Sequence, residues 1–194
     1  MTAKVITVPN GHIADVITYL EMTERPETQS SGSSLTFSPW SLPSTDDYLT
    51  LFKAVGEPWL WLSRLLLSSE ELQSTIHDDG IDLFRVQDGD KDVGFAELDF
   101  RVSGECEIGF FGLIPQFNGK GHGRWLMQEV LDRAWKPDVK RVWLHTCTLD
   151  SPYALGFYQK SGFRAYKREI GMNRDPRLDG LLPEKAGPHI PVIS

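Results

Sequence analysis

Gly119, Gly121 and Gly123 stand at alternate positions within residues 115–124, just ahead of a helical pattern. Glycine reaches backbone conformations closed to other residues, so such a loop can turn successive N–H groups toward one point. The helix that follows adds the positive end of its dipole. This arrangement suits the binding of an anion, phosphate above all. The spacing fits neither the dinucleotide fingerprint G-x-G-x-x-G nor the triphosphate loop G-x-x-x-x-G-K-[ST], and short glycine patterns also occur as plain turns.

Acidic side chains supply a second kind of chemistry. Glu105 and Glu107 lie two residues apart in one extended run, as do Glu97 and Asp99 in the run before it, so each pair shares a strand face. A carboxylate there can accept a proton, and reads equally as an ordinary exposed strand charge. His145, alone among aromatic residues on the extended run after the long helix, is a second-choice catalytic candidate and reads chiefly as a hydrogen-bonded structural group. Cys106 and Cys147 sit in alternating runs without C-x-x-C spacing and read as small buried side chains. No metal-ligand spacing and no G-x-S-x-G nucleophile turn is present, which favours transfer chemistry without a covalent enzyme intermediate.

The elements that must position these groups follow from periodicity and punctuation. Residues 5–8 and 16–20 are both rich in β-branched side chains, and either suits a first strand. Residues 23–44 carry Ser, Thr and Pro without period and read as a long loop. Ser44 with Asp47, and Ser68 with Glu71, have capping-box spacing, so two or three short helices fall between 44 and 80, interrupted at Gly56 and Pro58. Residues 81–87, 93–102 and 105–114, separated by Asp-Gly and Ser-Gly turns, predict an antiparallel meander.

Leu126, Val130 and Ala134 beside Met127, Leu131 and Trp135 form the strongest helical face, ended by Pro137. A strand at 141–148 follows. Ser151 and Pro152 open a last helix as N-cap and first residue, and Gly162 closes it. Residues 163–170 form a terminal strand, and the proline-rich stretch 171–194 reads as an extended or mobile tail.

With 194 residues, 40% hydrophobic and 24% charged, the chain has the make-up of one packed domain. A formal charge of -7 without a basic stripe argues against nucleic acid as a partner. Residues 1–10 lack a signal-peptide pattern and no run is long enough to span a bilayer, so the expectation is a cytoplasmic protein with no membrane partner.

The motif Gln116-x-x-Gly119-x-Gly121, in this element order and with Tyr158 in the stretch 155–163, resembles the GNAT superfamily of N-acetyltransferases. The resemblance is firm over about 81–170 and looser before that. It implies an α+β fold: a mixed, mostly antiparallel sheet of six to seven strands with about four helices, splayed between the fourth and fifth strands. The domain would cover 1–170, with the helices of about 44–80 shaping the acceptor site, a cofactor core at 81–170 and a tail at 171–194.

In this reading the chain transfers acetyl from acetyl-CoA to an amine. Gln116, Asn118, Gly119, Lys120, Gly121, His122, Gly123 and Arg124 would hold the coenzyme A pyrophosphate. Phe111, Gly112 and Leu113 would offer main-chain contacts to the pantetheine arm beside a β-bulge, and Ser151 stands where the family often has Asn. Tyr158 would protonate the leaving thiolate, and Glu107, then Glu97, would serve as base. A homodimer is compatible with the resemblance. The alternative is a coenzyme A-binding sensor or interaction module without turnover.

Overall fold

A computed structural model describes residues 5–27 and 32–194. Its frame is a seven-stranded sheet in the order β2-β3-β4-β5-β6-β1-β7. The strands are β1 (His12–Met22), β2 (Thr36–Pro39), β3 (Ile81–Asp88), β4 (Lys91–Asp99), β5 (Glu105–Leu113), β6 (Arg141–Cys147) and β7 (Arg164–Arg174). Helices α1 (Thr45–Gly56), α2 (Ser69–Ile76), α3 (His122–Ala134) and α4 (Ala154–Lys160) complete the mixed α+β fold expected from the sequence.

Every ladder is antiparallel except β5–β6. Those two pair only through Glu105–Arg141, Cys106–Val142 and Glu107–Trp143, although both strands continue past that point. The register between β4 and β5 shifts between Glu97 and Leu98, which leaves Gly109 as an extra residue on β5. A bulge bends and twists its strand, so β5 is carried away from β6 just where pairing stops. The open seam that results is the splay expected between the fourth and fifth strands. Here they are numbered β5 and β6 because β2 intervenes.

Each sheet face has its own cover. Leu126, Met127, Val130, Leu131 and Ala134 of α3 pack on Ala96, Leu98, Cys106, Ile108, Val142 and Leu144. On the other face, Tyr48, Phe52 and Val55 of α1 with Leu72 and Ile76 of α2 pack on Ile81, Leu83 and Phe95. Burial of such side chains contributes about 1.5–3 kcal/mol each.

Local signals set the helix ends. The Asp47 N–H donates to Ser44 Oγ at 3.1 Å. Ser68 and Glu71 exchange bonds of 3.3 and 2.8 Å in a reciprocal capping box. Both satisfy amides that a first helical turn leaves open.

Four expectations need correction. The first strand contains 16–20 but starts at His12, and 5–8 joins no strand. The loop at 23–44 holds β2, because Phe37 and its neighbours pair along β3 and stack on Phe84 at 4.9 Å; its residues 28–31 lie outside those described. Helix α4 begins at Ala154, since Ser151–Tyr153 form a turn in which Ser151 Oγ accepts from the Tyr153 N–H at 3.4 Å.

The fourth correction concerns the end of the chain, where β7 runs on to Arg174 and the following residues fold back. Arg177, buried, is forked onto Asp175 at 2.9 and 2.7 Å and donates to the carbonyls of Ala186 and Ile190 at 3.1 and 2.9 Å. Leu182 and Ala186 then pack on Ile13, Leu60 and Leu149. One guanidinium thus gathers a stretch with no apolar period of its own.

Candidate active site

The glycine loop leaves β5 through a 3-10 turn at Pro115–Phe117 and enters α3 at Gly121, whose φ of 88° is left-handed; Gly119 has φ 74°. Phe117 and Asn118 N–H donate to Ile114 and Pro115 carbonyls. The amides of Gly119, Lys120, Gly121, His122 and Gly123 have no hydrogen-bond partner among the described residues. Five successive free donors at the head of a 13-residue helix form an anion cradle.

Lys120 and Arg124 have no carboxylate partner among the described residues, so their charge is available at the cradle. Lys120 Nζ lies 5.4 Å from the centre of the Phe117 ring. His122 Nδ1 is 2.9 Å from Ser33 Oγ. Gln116 and Asn118 are exposed on the turn before the cradle. A diphosphate fits these residues, since among the described residues the donors are unpaired and nothing lies within 4 Å of a Cβ built on Gly119 or Gly121.

Gly121→Val tests the cradle. A side chain at φ 88° costs about 1–2 kcal/mol, and the amides must turn to relieve it. Coenzyme A affinity, read by isothermal titration calorimetry, is expected to fall about tenfold or more. Because the added carbon meets no neighbour among the described residues, unaltered affinity would mean that these amides do not hold the ligand.

Past the cradle lies the seam. On the α3 face, Phe111 of β5 stacks on Phe157 of α4 at 5.9 Å and meets Tyr158 edge-on at 6.2 Å. Tyr158 is half-buried, its hydroxyl has no partner among the described residues, and burial with the nearby Asp150 charge pushes its pKa up. Gly112 has a packing reason of its own. A Cβ there would stand 2.6 Å from Val55 Cγ1, so its bare backbone lets α1 sit close on β5, while Leu113 is buried.

On the opposite face the two carboxylates named from the sequence differ. Glu97 is 1% exposed, takes the Tyr48 hydroxyl at 2.6 Å and is ion-paired with Arg64. Glu107 is 24% exposed, stands at the last β5–β6 pair and faces His145 Nδ1 at 3.5 Å. Beside it a hollow of about 310 Å³ is lined by Asp99, Arg101, Glu105, Glu107 and Trp143.

Two contributors had escaped the reading of the sequence. Asp150 ties the Trp61 segment to the end of β6: it accepts from Trp61 Nε1 at 3.1 Å, the Thr146 hydroxyl at 2.6 Å and the Cys147 N–H at 3.0 Å. Residues near the end of the chain add a wall, with His189 Nε2 3.0 Å from the Leu149 carbonyl oxygen and its ring 5.9 Å from that of Trp59. Only the Asp150–Ser151 position just ahead of a helix start could have drawn attention to the first.

Residues 45–163 match the model of the Acetyltransferase (GNAT) family. Over 103 residues, 53% of the chain, it is 38% identical to the mycothiol acetyltransferase of Nocardiopsis dassonvillei, and it spans only 29% of that relative's length. In fold it is similar to a GCN5-related N-acetyltransferase from Sphaerobacter thermophilus, with TM-score 0.61 and 18% identity over 83% of this chain and 51% of that one. It is also similar to the PaiA N-acetyltransferase of Thermoplasma acidophilum in complex with coenzyme A, with TM-score 0.52 and 18% identity over 73% of this chain and 99% of that one.

Proposed function

The chain belongs to the GNAT acetyltransferase family, and from that premise we propose that it moves an acetyl group from acetyl-CoA directly to a primary amine. The observation that carries this reading is the row of five free amides at 119–123, which opens beside the seam. Bound there, acetyl-CoA supplies an activated thioester. Gly119 to Gly123 bind its diphosphate, helped by Lys120 and Arg124. The Phe111–Leu113 main chain would offer its polar groups to the pantetheine arm.

The chain's own groups then handle the protons. Tyr158, on the α3 side, keeps its hydroxyl proton because its pKa is raised, and donates a hydrogen bond to the departing sulfur. Glu107, on the other side, supplies the negative charge that draws off the amine proton, directly or through a neighbour. Glu97, engaged by Arg64 and Tyr48, serves to hold α1 and the Arg64 segment on β4. The seam keeps donor and acceptor on opposite faces until they meet, which lowers the entropic cost of their encounter.

Melting curves with coenzyme A and acetyl-CoA test the first half. At about 100 times the Kd a ligand adds about 2.7 kcal/mol, several degrees of Tm for a chain of this size. No shift at millimolar ligand would end the proposal. Thiol release from acetyl-CoA across a panel of amines tests the second half, and tight binding without turnover would favour a coenzyme A sensor on the same fold.

A further inference from the structure

We infer that His145, oriented by Glu107, is the group that takes the proton from the acceptor amine. The inference rests on the acetyl-transfer reading above and names a residue that reading leaves open. Glu107 and Trp143 form the last rung between β5 and β6, and His145 lies two residues further along β6, where no β5 residue pairs with it. It therefore stands in the open part of the seam, on the face that carries Glu107.

The imidazole is the more reachable group: 46% of its side chain is exposed against 24% of Glu107. Its Nδ1 is turned to Glu107 Oε1 at 3.5 Å, and its Nε2 has no partner among the described residues. A carboxylate at one ring nitrogen fixes the proton there and leaves the lone pair of the other free, which is the arrangement of an oriented base. The Tyr19 ring, opposite His145 in the β1–β6 ladder and 5.7 Å away, steadies the plane.

His145 faces Glu107 from β5 and Tyr19 from β1, and the charges of Asp150, from the turn after β6, and Asp15 of β1 also reach it. Tyr19 is itself tied to Glu169 of β7, which pairs with Lys167. Hydrogen bonding to Glu107, then its charge with those of Asp150 and Asp15, raises the imidazole pKa against the lowering effect of burial. The cation formed on taking a proton is thus met by the Glu107 carboxylate 3.5 Å away.

The step balances. The amine nitrogen bonds to the acetyl carbon while one N–H proton passes to His145 Nε2. The C–S bond breaks, sulfur leaves with its electron pair as a thiolate hydrogen-bonded by the Tyr158 hydroxyl, and the thiolate gains its proton from solvent. His145 returns its proton to solvent, and the products are an acetamide and free coenzyme A.

The test uses the full chain, acetyl-CoA and four amines: spermidine, kanamycin, glycinamide and a lysine peptide. His145→Gln is expected to lower kcat/KM about 10²-fold with coenzyme A affinity unaltered. A base works only when unprotonated, so the raised pKa puts the acidic limb of kcat/KM above the ordinary imidazole value of about 6.5. That limb stays put as the amine is changed, and falls in Glu107→Gln, which removes the charge that raises it.

Nitrogen NMR of labelled histidine in the resting protein reads the same pair without turnover, with the proton expected on Nδ1. Activity of His145→Gln within threefold of the unaltered protein, a limb in the carboxylate range, or a proton on Nε2 would overturn the inference alone. Absence of turnover with all four amines would overturn the acetyl-transfer reading and this step with it.

Discussion

Tyr158→Phe is expected to lower kcat about 10²-fold while leaving coenzyme A affinity within twofold, because only the hydroxyl is lost and the ring keeps its contacts with Phe111, Phe157 and Phe163. The size follows from proton affinities. An ordinary thiol has a pKa of about 8.5 and an ordinary tyrosine about 10, and burial raises that of Tyr158 further. Complete transfer to a thiolate is therefore uphill. In the proposed reaction the hydroxyl would act by hydrogen bonding to charge as it gathers on sulfur, so the effect belongs at the lower end of the 10²- to 10⁴-fold range of acid–base contributions. The alkaline limb of kcat, displaced upward in the unaltered protein, should vanish in the variant. A kcat within threefold of the original would remove Tyr158 from the chemistry.

Glu97→Ala is expected to cost stability rather than chemistry. The carboxylate is 1% exposed, accepts from Tyr48 and neutralises Arg64, whose own side chain is 17% exposed and whose buried Nε has no partner among the described residues. Removing one member of a buried pair typically costs about 3–5 kcal/mol, since the other charge is left without compensation. Some water reaches Arg64, so the low end applies, roughly 3 kcal/mol and a Tm lower by about 6–12 °C. The double variant Glu97→Leu with Arg64→Met should recover much of that loss, because it leaves no unpaired ion. If the single change moved Tm by less than 2 °C, the triad would not be what fastens α1 to the sheet.

What could be read from the chain was what short-range physics decides. Ser68 and Glu71 announce a helix start because both partners lie within four residues, and the Leu126, Val130, Ala134 row needs only the helical period. The glycine loop is legible for the same reason, since its meaning is a local backbone shape. Gly109, by contrast, looks like any strand glycine, and its bulge exists only in register with β4. The facing of Glu107 and His145 depends on two strands joined through a whole helix, and no interval in the chain records it. The clamp by Arg177 is hidden likewise, since its carbonyl partners are 9 and 13 residues away and have no distinctive side chains.

The central place of β1 in the outer half of the sheet has a consequence for the order of assembly. Its partners β6 and β7 are made after β2 to β5, so an earlier segment must wait, with Leu20 and Met22 unsatisfied, until Arg174 has emerged. Closing so wide a circuit pays chain entropy before any pairing rewards it, which makes this the slow event of folding. Until it happens the β5–β6 seam has one firm bank only, and catalytic competence should lag behind the formation of the meander and α3.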